Sequence, residues 1–507
     1  MSKKRKKFKM PGAFFILFLI TILAVIATWS IPAGQYAKLS YSNSSFTITS
    51  PTGQNTKVPA TQQELNKLGV KIKINQFTLG SINKPISIPN TYQRLKQHPA
   101  SIFQITESMV QGTIQSADIM VFIFMLGGLI GIVKASGAFN TGLYALTQKT
   151  KGHEFLLIFL VSILMMLGGT LCGIEEEAVA FYPILVPIFI AMGYDSIVCI
   201  GAIFLAAQTG TAFSTINPFS VVIASNAAGI NFTEGLNWRI VAFVFGALFV
   251  ISYLYWYSNK VKNHPDESYA IDDKADFLKL WEMKDSAEVG PFTLKKKIIL
   301  TLFAIAFPLM VYGVMAQGWW FPQMASSFLT IAVIIMFIVA MGKNGIGSTA
   351  VIDEFVQGAQ SLLGVSLIIG LARGINIVLT NGMISDTILH YFSTLVTHVG
   401  GVAFVIMMLL IFFLLGFIVP SSSGLAVLSM PIFAPLADSV NVPRYVIVTA
   451  YQFGQYAMLF LAPTGLIMAS LEMLHLKYSH WLKFVWPLVL FLLVFGGCIV
   501  VTETLMA

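Results

Sequence analysis

The sequence predicts an all-α polytopic membrane protein. It comprises about nine transmembrane helices and two re-entrant helical hairpins, arranged as two inverted repeats with discontinuous helices. Three observations lead there. The 507 residues are 56% hydrophobic and only 11% charged, with a mean hydropathy of +0.78; soluble domains run nearer ~45–50% apolar and ~25% charged. Long apolar runs are broken by short polar clusters, and non-helical backbone at membrane depth is tolerated only against protein or a polar cavity. The two halves of the chain also match at a nearly constant offset, the mark of an internal repeat.

Residues 1–10 carry six Lys/Arg and are expected in the cytoplasm, where cationic flanks of membrane helices remain. The apolar run 11–31 is long for a signal peptide and ends in Pro-Ala-Gly, a poor cleavage site, so it reads as a retained first transmembrane helix. Residues 32–100 are rich in Ser, Thr, Asn and Lys and are expected outside the cell as a loop or small irregular domain.

The first inverted repeat is expected over 101–257. It opens with a span at 119–135 and an amphipathic piece at 139–150, whose basic exit, Lys149, Lys151 and His153, points to the cytoplasm. Two apolar arms follow within 154–192. The second is only about 22 Å long at ~1.5 Å per residue, short of the ~30 Å hydrocarbon core, so 154–192 reads as a re-entrant hairpin with its tip at mid-depth. Segment 196–228 is too long for one span and is interrupted at Pro218, which removes a helix hydrogen bond. A further span runs to 257.

The mixed-charge connection 258–297, with Lys260, Lys262 and Lys295 to Lys297, is expected in the cytoplasm. The second inverted repeat, 298–503, contains spans near 298–316, 325–341 and 362–381, a second hairpin at 400–437, a helix broken at Pro463 and a last span at 481–503.

Residues 169–187, GTLCGIEEEAVAFYPILVP, align with 417–435, FIVPSSSGLAVLSMPIFAP, at an offset of 248. Residues 215–225, TINPFSVVIAS, align with 460–470, FLAPTGLIMAS, at 245, and Val110-Gln-Gly112 with Val356-Gln-Gly358 at 246. A hairpin returns to its own side, so the first repeat begins with an outward-to-inward span and the second with the reverse. Inverted repeats carrying hairpins and broken helices are the architecture of secondary transporters, with the site near the midplane.

The four polar interruptions should therefore converge. Glu175, Glu176 and Glu177 stand out, because an acid at a helix centre in hydrocarbon costs roughly 2.5–3.5 kcal/mol on insertion scales. With Gly173 they form the first tip. Ser421, Ser422 and Ser423, whose hydroxyls both donate and accept, form the second. Thr215, Asn217 and Pro218 mark one helix break, and Gln455 and Thr464 the other. Arg373 lies within the apolar run 365–379 and can pair with a glutamate or receive a substrate carboxylate, whereas Lys134 reads as snorkelling.

Cys172, Cys199 and Cys498 have no paired spacing, so neither a disulfide framework nor a metal site is expected. The excess of 31 Lys+Arg over 23 Asp+Glu sits largely beside hydrophobic segments, and no nucleic-acid partner is read from it.

The pattern G-x-x-E-E-x-x-x-F/Y-Y-P is present as Gly173, Glu176, Glu177 and Phe181-Tyr182-Pro183. T-x-N-P-F follows as Thr215, Asn217, Pro218 and Phe219, then the Pro-Ser-Ser-Ser-Gly segment 420–438 and Gln452-Phe453-Gly454. Over nearly the whole membrane part this resembles the YfcC/DcuC-like C4-dicarboxylate anaerobic carrier group of the ion transporter superfamily; Glu175 is an acid additional to the pattern. The resemblance implies a dimer with a scaffold and a moving transport domain, elevator-type alternating access, and arginine/ornithine exchange in some relatives.

The expected function is thus secondary transport of amino-acid or small carboxylate metabolites across the cytoplasmic membrane, basic amino acids first. The partners are a small-molecule substrate and the lipid bilayer; there is no cofactor, and the coupling ion is H+ or Na+. A glutamate that gains and loses a proton would tie transport to the proton gradient. A proton- or sodium-coupled C4-dicarboxylate carrier is the alternative, but two anionic groups would meet three glutamates with Arg373 as the evident counter-charge. A membrane-embedded hydrolase is more distant, since no G-x-S-x-G elbow or H-E-x-x-H helix is present. A passive channel is the remaining class.

Overall fold

The computed structural model describes residues 12–78, 82, 84–139, 141–142, 144–145, 154–281, 291–317, 319–341, 346–397 and 399–507. The basic segment 1–10 and the exit at Lys149, Lys151 and His153 lie outside the described residues. Eight described helices are long and apolar enough to cross a membrane, among them the first arm of each hairpin, Glu154–Cys172 and Gly401–Ile418.

Both ends of the first hairpin lie on one side. Glu154 at its start pairs with Lys262 at 2.9 Å. Asp195, just beyond its end, accepts from Tyr257 at 2.9 Å and Ser268 at 2.5 Å. All three partners belong to the exit of helix Leu236–Asn263 and the connection after it. The second hairpin closes on the opposite side: Asp438, at the end of arm Ser422–Ser439, pairs with Lys71 of the 32–100 segment at 2.8 Å. The two hairpins therefore enter from opposite faces, and the repeats are inverted.

The contacts between repeats obey the same exchange. Helix Phe103–Gln115 crosses Leu363–Asn381, and Ala117–Ala135 crosses Ser348–Ser361. Glycine permits both crossings. A Cβ on Gly112 would fall 2.5 Å from the Gly374 nitrogen, and one on Gly358 would fall 2.2 Å from the Gly127 carbonyl oxygen. These are the glycines of the two Val-Gln-Gly matches. Close backbone approach over small residues is a main source of helix association in lipid, where no hydrophobic drive separates one apolar face from another.

Residues 32–100 are more ordered than a polar loop. They hold β1 Gly34–Gln35, β2 Lys38–Ser42, β3 Ser45–Thr49, β4 Asn55–Pro59, β5 Ile86–Ser87 and β6 Gln93–Arg94. A four-stranded antiparallel sheet runs in the order β4-β3-β2-β5, and β1 pairs with β6. Asn43 and Ser44 take φ of 47° and 57°, the left-handed pair that a two-residue hairpin turn requires. Leu39, Phe46, Leu65, Phe77 and Ile86 close its core, together with Val427 from the second hairpin. This β-domain is thus seated on the membrane part.

On the opposite face a polar knot ties the central connection to the last helix. Asp273 is 2% exposed. It accepts from the Lys477 backbone N–H at 3.0 Å, from the Lys477 ammonium, and from His480 Nδ1 at 2.6 Å. Burial opposes ionisation of Asp273, but the donors of Lys477 and His480 outweigh it and hold the carboxyl below its ordinary value.

Two outcomes follow from this packing. Gly358→Leu is expected to abolish the monodisperse detergent-solubilised species or lower its thermal midpoint by many degrees. Gly364→Leu, with nothing within 4 Å of the added Cβ, is expected to leave the midpoint within about 2 °C of wild type. For the knot, a folded-state pKa below the unfolded one stabilises above the unfolded value of about 3.9 and is lost as pH falls through the folded one. Asp273→Asn is accordingly expected to lower the midpoint at pH 7, with the gap to wild type closing below about pH 4; an equal gap at both pH values contradicts this account.

Candidate functional site

Both repeats and the β-domain converge on one cavity of about 560 Å³. Gly173, Glu175, Glu176 and Glu177 of the first tip, Arg373, Ser421, Ser422 and Ser423 of the second tip, and Thr464 all line it. Sequence reasoning placed these residues in three separate interruptions and one helix. The fold brings them to one surface.

The first tip forms because helix Glu154–Cys172 cannot continue through Gly173, which takes φ +71°. A side chain there would be strained and would meet Asn217, 2.7 Å from a Cβ. The chain then enters a 3₁₀ turn, Glu176–Phe181, before the second arm Tyr182–Ala191. Three half-buried carboxylates result. Glu175 Oε1 accepts from the Tyr456 hydroxyl at 2.5 Å, and Glu177 Oε2 accepts from the Glu175 backbone N–H at 3.2 Å. Around Glu176, Arg373 and Lys84 are the attracting charges and Asp118 is a repelling one.

The second tip is a helix start. Ser421 caps it, its Oγ accepting from the Gly424 N–H at 3.3 Å, as serine does at N-caps. The Ser422 carbonyl accepts from Tyr451 at 2.6 Å. Ser423 Oγ accepts from Lys84 Nζ at 2.7 Å. The tip thus presents a helix N-terminus and hydroxyls where the first tip presents acids, and the positive end of a helix favours negative charge.

Thr215, Asn217, Pro218 and Gln455 stand behind the cavity wall rather than on it. The Asn217 side chain accepts from the N–H groups of Phe219 at 2.8 Å and Ser220 at 3.2 Å, and donates to the Gly169 carbonyl at 2.9 Å. It therefore caps the half-helix after the break and holds the first hairpin to it. Thr215 is bound to Thr170, its N–H donating at 3.0 Å. Gln455 holds the second hairpin in the other repeat, its Nε2 donating to the Val419 carbonyl at 3.3 Å. The breaks position the tips.

Several lining or contacting residues escaped sequence reasoning. Asn376 lines the cavity three residues after Arg373, and helical spacing alone would have put both on one face. Phe219, Trp320 and Phe321 supply an aromatic wall, with Phe219 and Trp320 ring centroids 5.8 Å apart. Tyr456 follows Gln455 directly and looks like core. Lys84 sits in a polar stretch with no local motif, and nothing short of the fold connects it to the tips.

Residues 10–505 match the family described as C4-dicarboxylate anaerobic carrier, DcuC. An uncharacterized protein of Haemophilus influenzae is 57% identical over 505 residues, covering 99% of this chain and 98% of that one. A putative basic amino acid antiporter, YfcC, of Escherichia coli K12 is 30% identical over 512 residues, covering 100% and 98%. Among solved structures, Neisseria gonorrhoeae MtrF, described among antimetabolite efflux pumps, aligns with a TM-score of 0.39 at 15% identity over 97% of this chain and 95% of that one. The Alcanivorax borkumensis YdaH transporter aligns with a TM-score of 0.37 at 13% identity over 97% and 98%. With the family match spanning almost its entire length, the chain belongs to the C4-dicarboxylate anaerobic carrier family of membrane transporters.

Proposed function

We propose that the protein is a secondary carrier of cationic amino acids, arginine and ornithine first, working as an exchanger with elevator-type alternating access. The observation that carries this reading is the charge of the cavity: Glu175, Glu176 and Glu177 line it against Arg373 and Lys84, with Asp118 adding a further acid near Glu176. A dicarboxylate would bring two more negative charges to that surface, whereas a cationic amino acid brings one carboxylate and two cationic groups. The face of Trp320 in the same wall suits a guanidinium or ammonium. The basic-amino-acid description of the 30% identical relative agrees with this substrate class.

The orientation we infer places the β-domain outside the cell. Lys260, Lys262, Lys295, Lys296 and Lys477 gather on the opposite face, and cationic loops stay in the cytoplasm. Helix Ala13–Ser30 ends beside the β-domain, so its N-terminus lies with the lysines. Two hairpins entering from opposite faces and meeting at the cavity are the parts an alternating-access cycle needs, since each tip can uncover the substrate to its own side. Proton exchange at the adjacent glutamates supplies a coupling route without a metal.

Proteoliposomes loaded with arginine test the reading directly. They are expected to take up labelled ornithine, to lose most uptake when the internal arginine is omitted, and to lose about tenfold or more in Glu176→Gln and Glu177→Gln, the scale of a missing charge-assisted contact. Robust succinate or malate transport that arginine does not compete overturns the substrate class. Uptake that no substrate on the far side stimulates overturns exchange.

A further inference from the structure

Lys84 belongs to neither repeat, yet it lines the cavity. Its backbone is held by the chain that follows it and by the packed isoleucines nearby. Pro85 holds the residue before it extended, and the buried Ile82, Ile86 and Ile88 seat the flanking chain in the β-domain. The domain is clamped in turn on the membrane part. Val427 and Ile223 pack into its core, Lys71 pairs with Asp438 at 2.8 Å, and Arg444 bridges Asp438 to the Ala228 carbonyl, the latter at 2.6 Å. The β-domain that carries Lys84 is therefore held against the membrane part by packed structure.

Within the cavity, Lys84 donates to Ser423 Oγ at 2.7 Å. The charges that bear on it are Arg373, which repels it, and Glu176, which attracts it. Among the described residues neither Lys84 nor Arg373 forms a salt bridge. Two cations that share a cavity without a salt-bridge partner among the described residues repel one another, and a further anion set between them converts that repulsion into two attractions. A carboxylate matches the pair well, because a guanidinium offers it a planar fork and an ammonium a compact donor.

We propose that Lys84 and Arg373 form the carboxylate subsite of the cavity, with Ser423 beside them, so that the β-domain supplies one of the two cations that bind the α-carboxylate of the substrate. This rests on the cationic amino-acid reading above, in which Glu175 to Glu177 take the substrate's cationic groups. Lys84 is then a specificity-determining residue: it selects amino acids over amines that carry the same cationic groups without the carboxylate, and it ties the β-domain to the second hairpin tip through the bound substrate.

The test uses the full-length protein in lipid nanodiscs and measures binding of arginine, of agmatine, which is arginine without its carboxylate, and of succinate. Wild type is expected to prefer arginine to agmatine. Lys84→Met is expected to weaken arginine by about 10- to 100-fold, the range of a lost charge-assisted hydrogen bond, while leaving agmatine within about twofold; Lys84→Arg is expected to restore most of the loss. Should Lys84→Met fail to fold, Lys84→Gln carries the comparison, since its amide can still donate to Ser423 without the charge. Unchanged or tighter arginine binding in the charge-removed variant overturns the proposal, as does equal weakening of arginine and agmatine. If wild type binds succinate and not arginine, the cationic amino-acid reading fails by itself. The carboxylate subsite then stands when Lys84→Met weakens succinate and falls when it does not.

Discussion

Three adjacent carboxylates between apolar helices are the constraint on which the rest of the structure depends. Carboxylates there are costly in lipid, so the chain surrounds them with protein and polar atoms. The hairpin that carries them turns at a glycine with a left-handed backbone, is held to the neighbouring half-helix by Asn217, and receives a hydroxyl from Tyr456 of the other repeat. Each of these contacts requires another element to be broken, tilted or packed at close range. The broken helices are thus consequences of the acids as much as partners to them.

Inversion of the repeats gives those acids an unlike neighbour. The equivalent of Glu175 in the second half is Ser423, and instead of a second acidic turn the fold brings a helix start capped by Ser421, with the Ser423 hydroxyl bound to Lys84. The same hairpin shape therefore presents acids in one repeat and hydroxyls in the other. A cavity with acids on one side and donors on the other discriminates charge patterns along a ligand, which a uniformly charged site cannot do. The crossed helix pairs on Gly112 and Gly358 hold the two copies together in this register.

The β-domain changes the sense of a segment that reads as an unremarkable polar loop. Its alternation is short and its strands hold two to five residues, so pattern alone could not distinguish it from irregular chain. Its sheet closes only with Val427 of the second hairpin in its core. The consequence for the site is Lys84, which doubles the positive charge that the cavity would otherwise draw from Arg373.

Composition, hydropathy and the repeat offset were enough to determine a polytopic helical protein of two inverted halves, because apolar length and polar interruptions are local properties written residue by residue. The same local signals brought out both tips, Arg373 and Thr464, since a charge, a serine cluster or a proline in an apolar run is conspicuous wherever it packs. What local signals could not decide was which polar residues face the cavity and which hold its wall. Asn217 and Gln455 looked like ligating groups, and in the fold their amides satisfy backbone carbonyls of the adjacent hairpins. Lys84 looked like a solvent lysine, and in the fold it reaches Ser423 across 339 residues of sequence. That division rests on tertiary packing, because a polar side chain's role is set by which unsatisfied partner the fold places within about 3 Å of it, and sequence spacing carries no record of a partner so far along the chain.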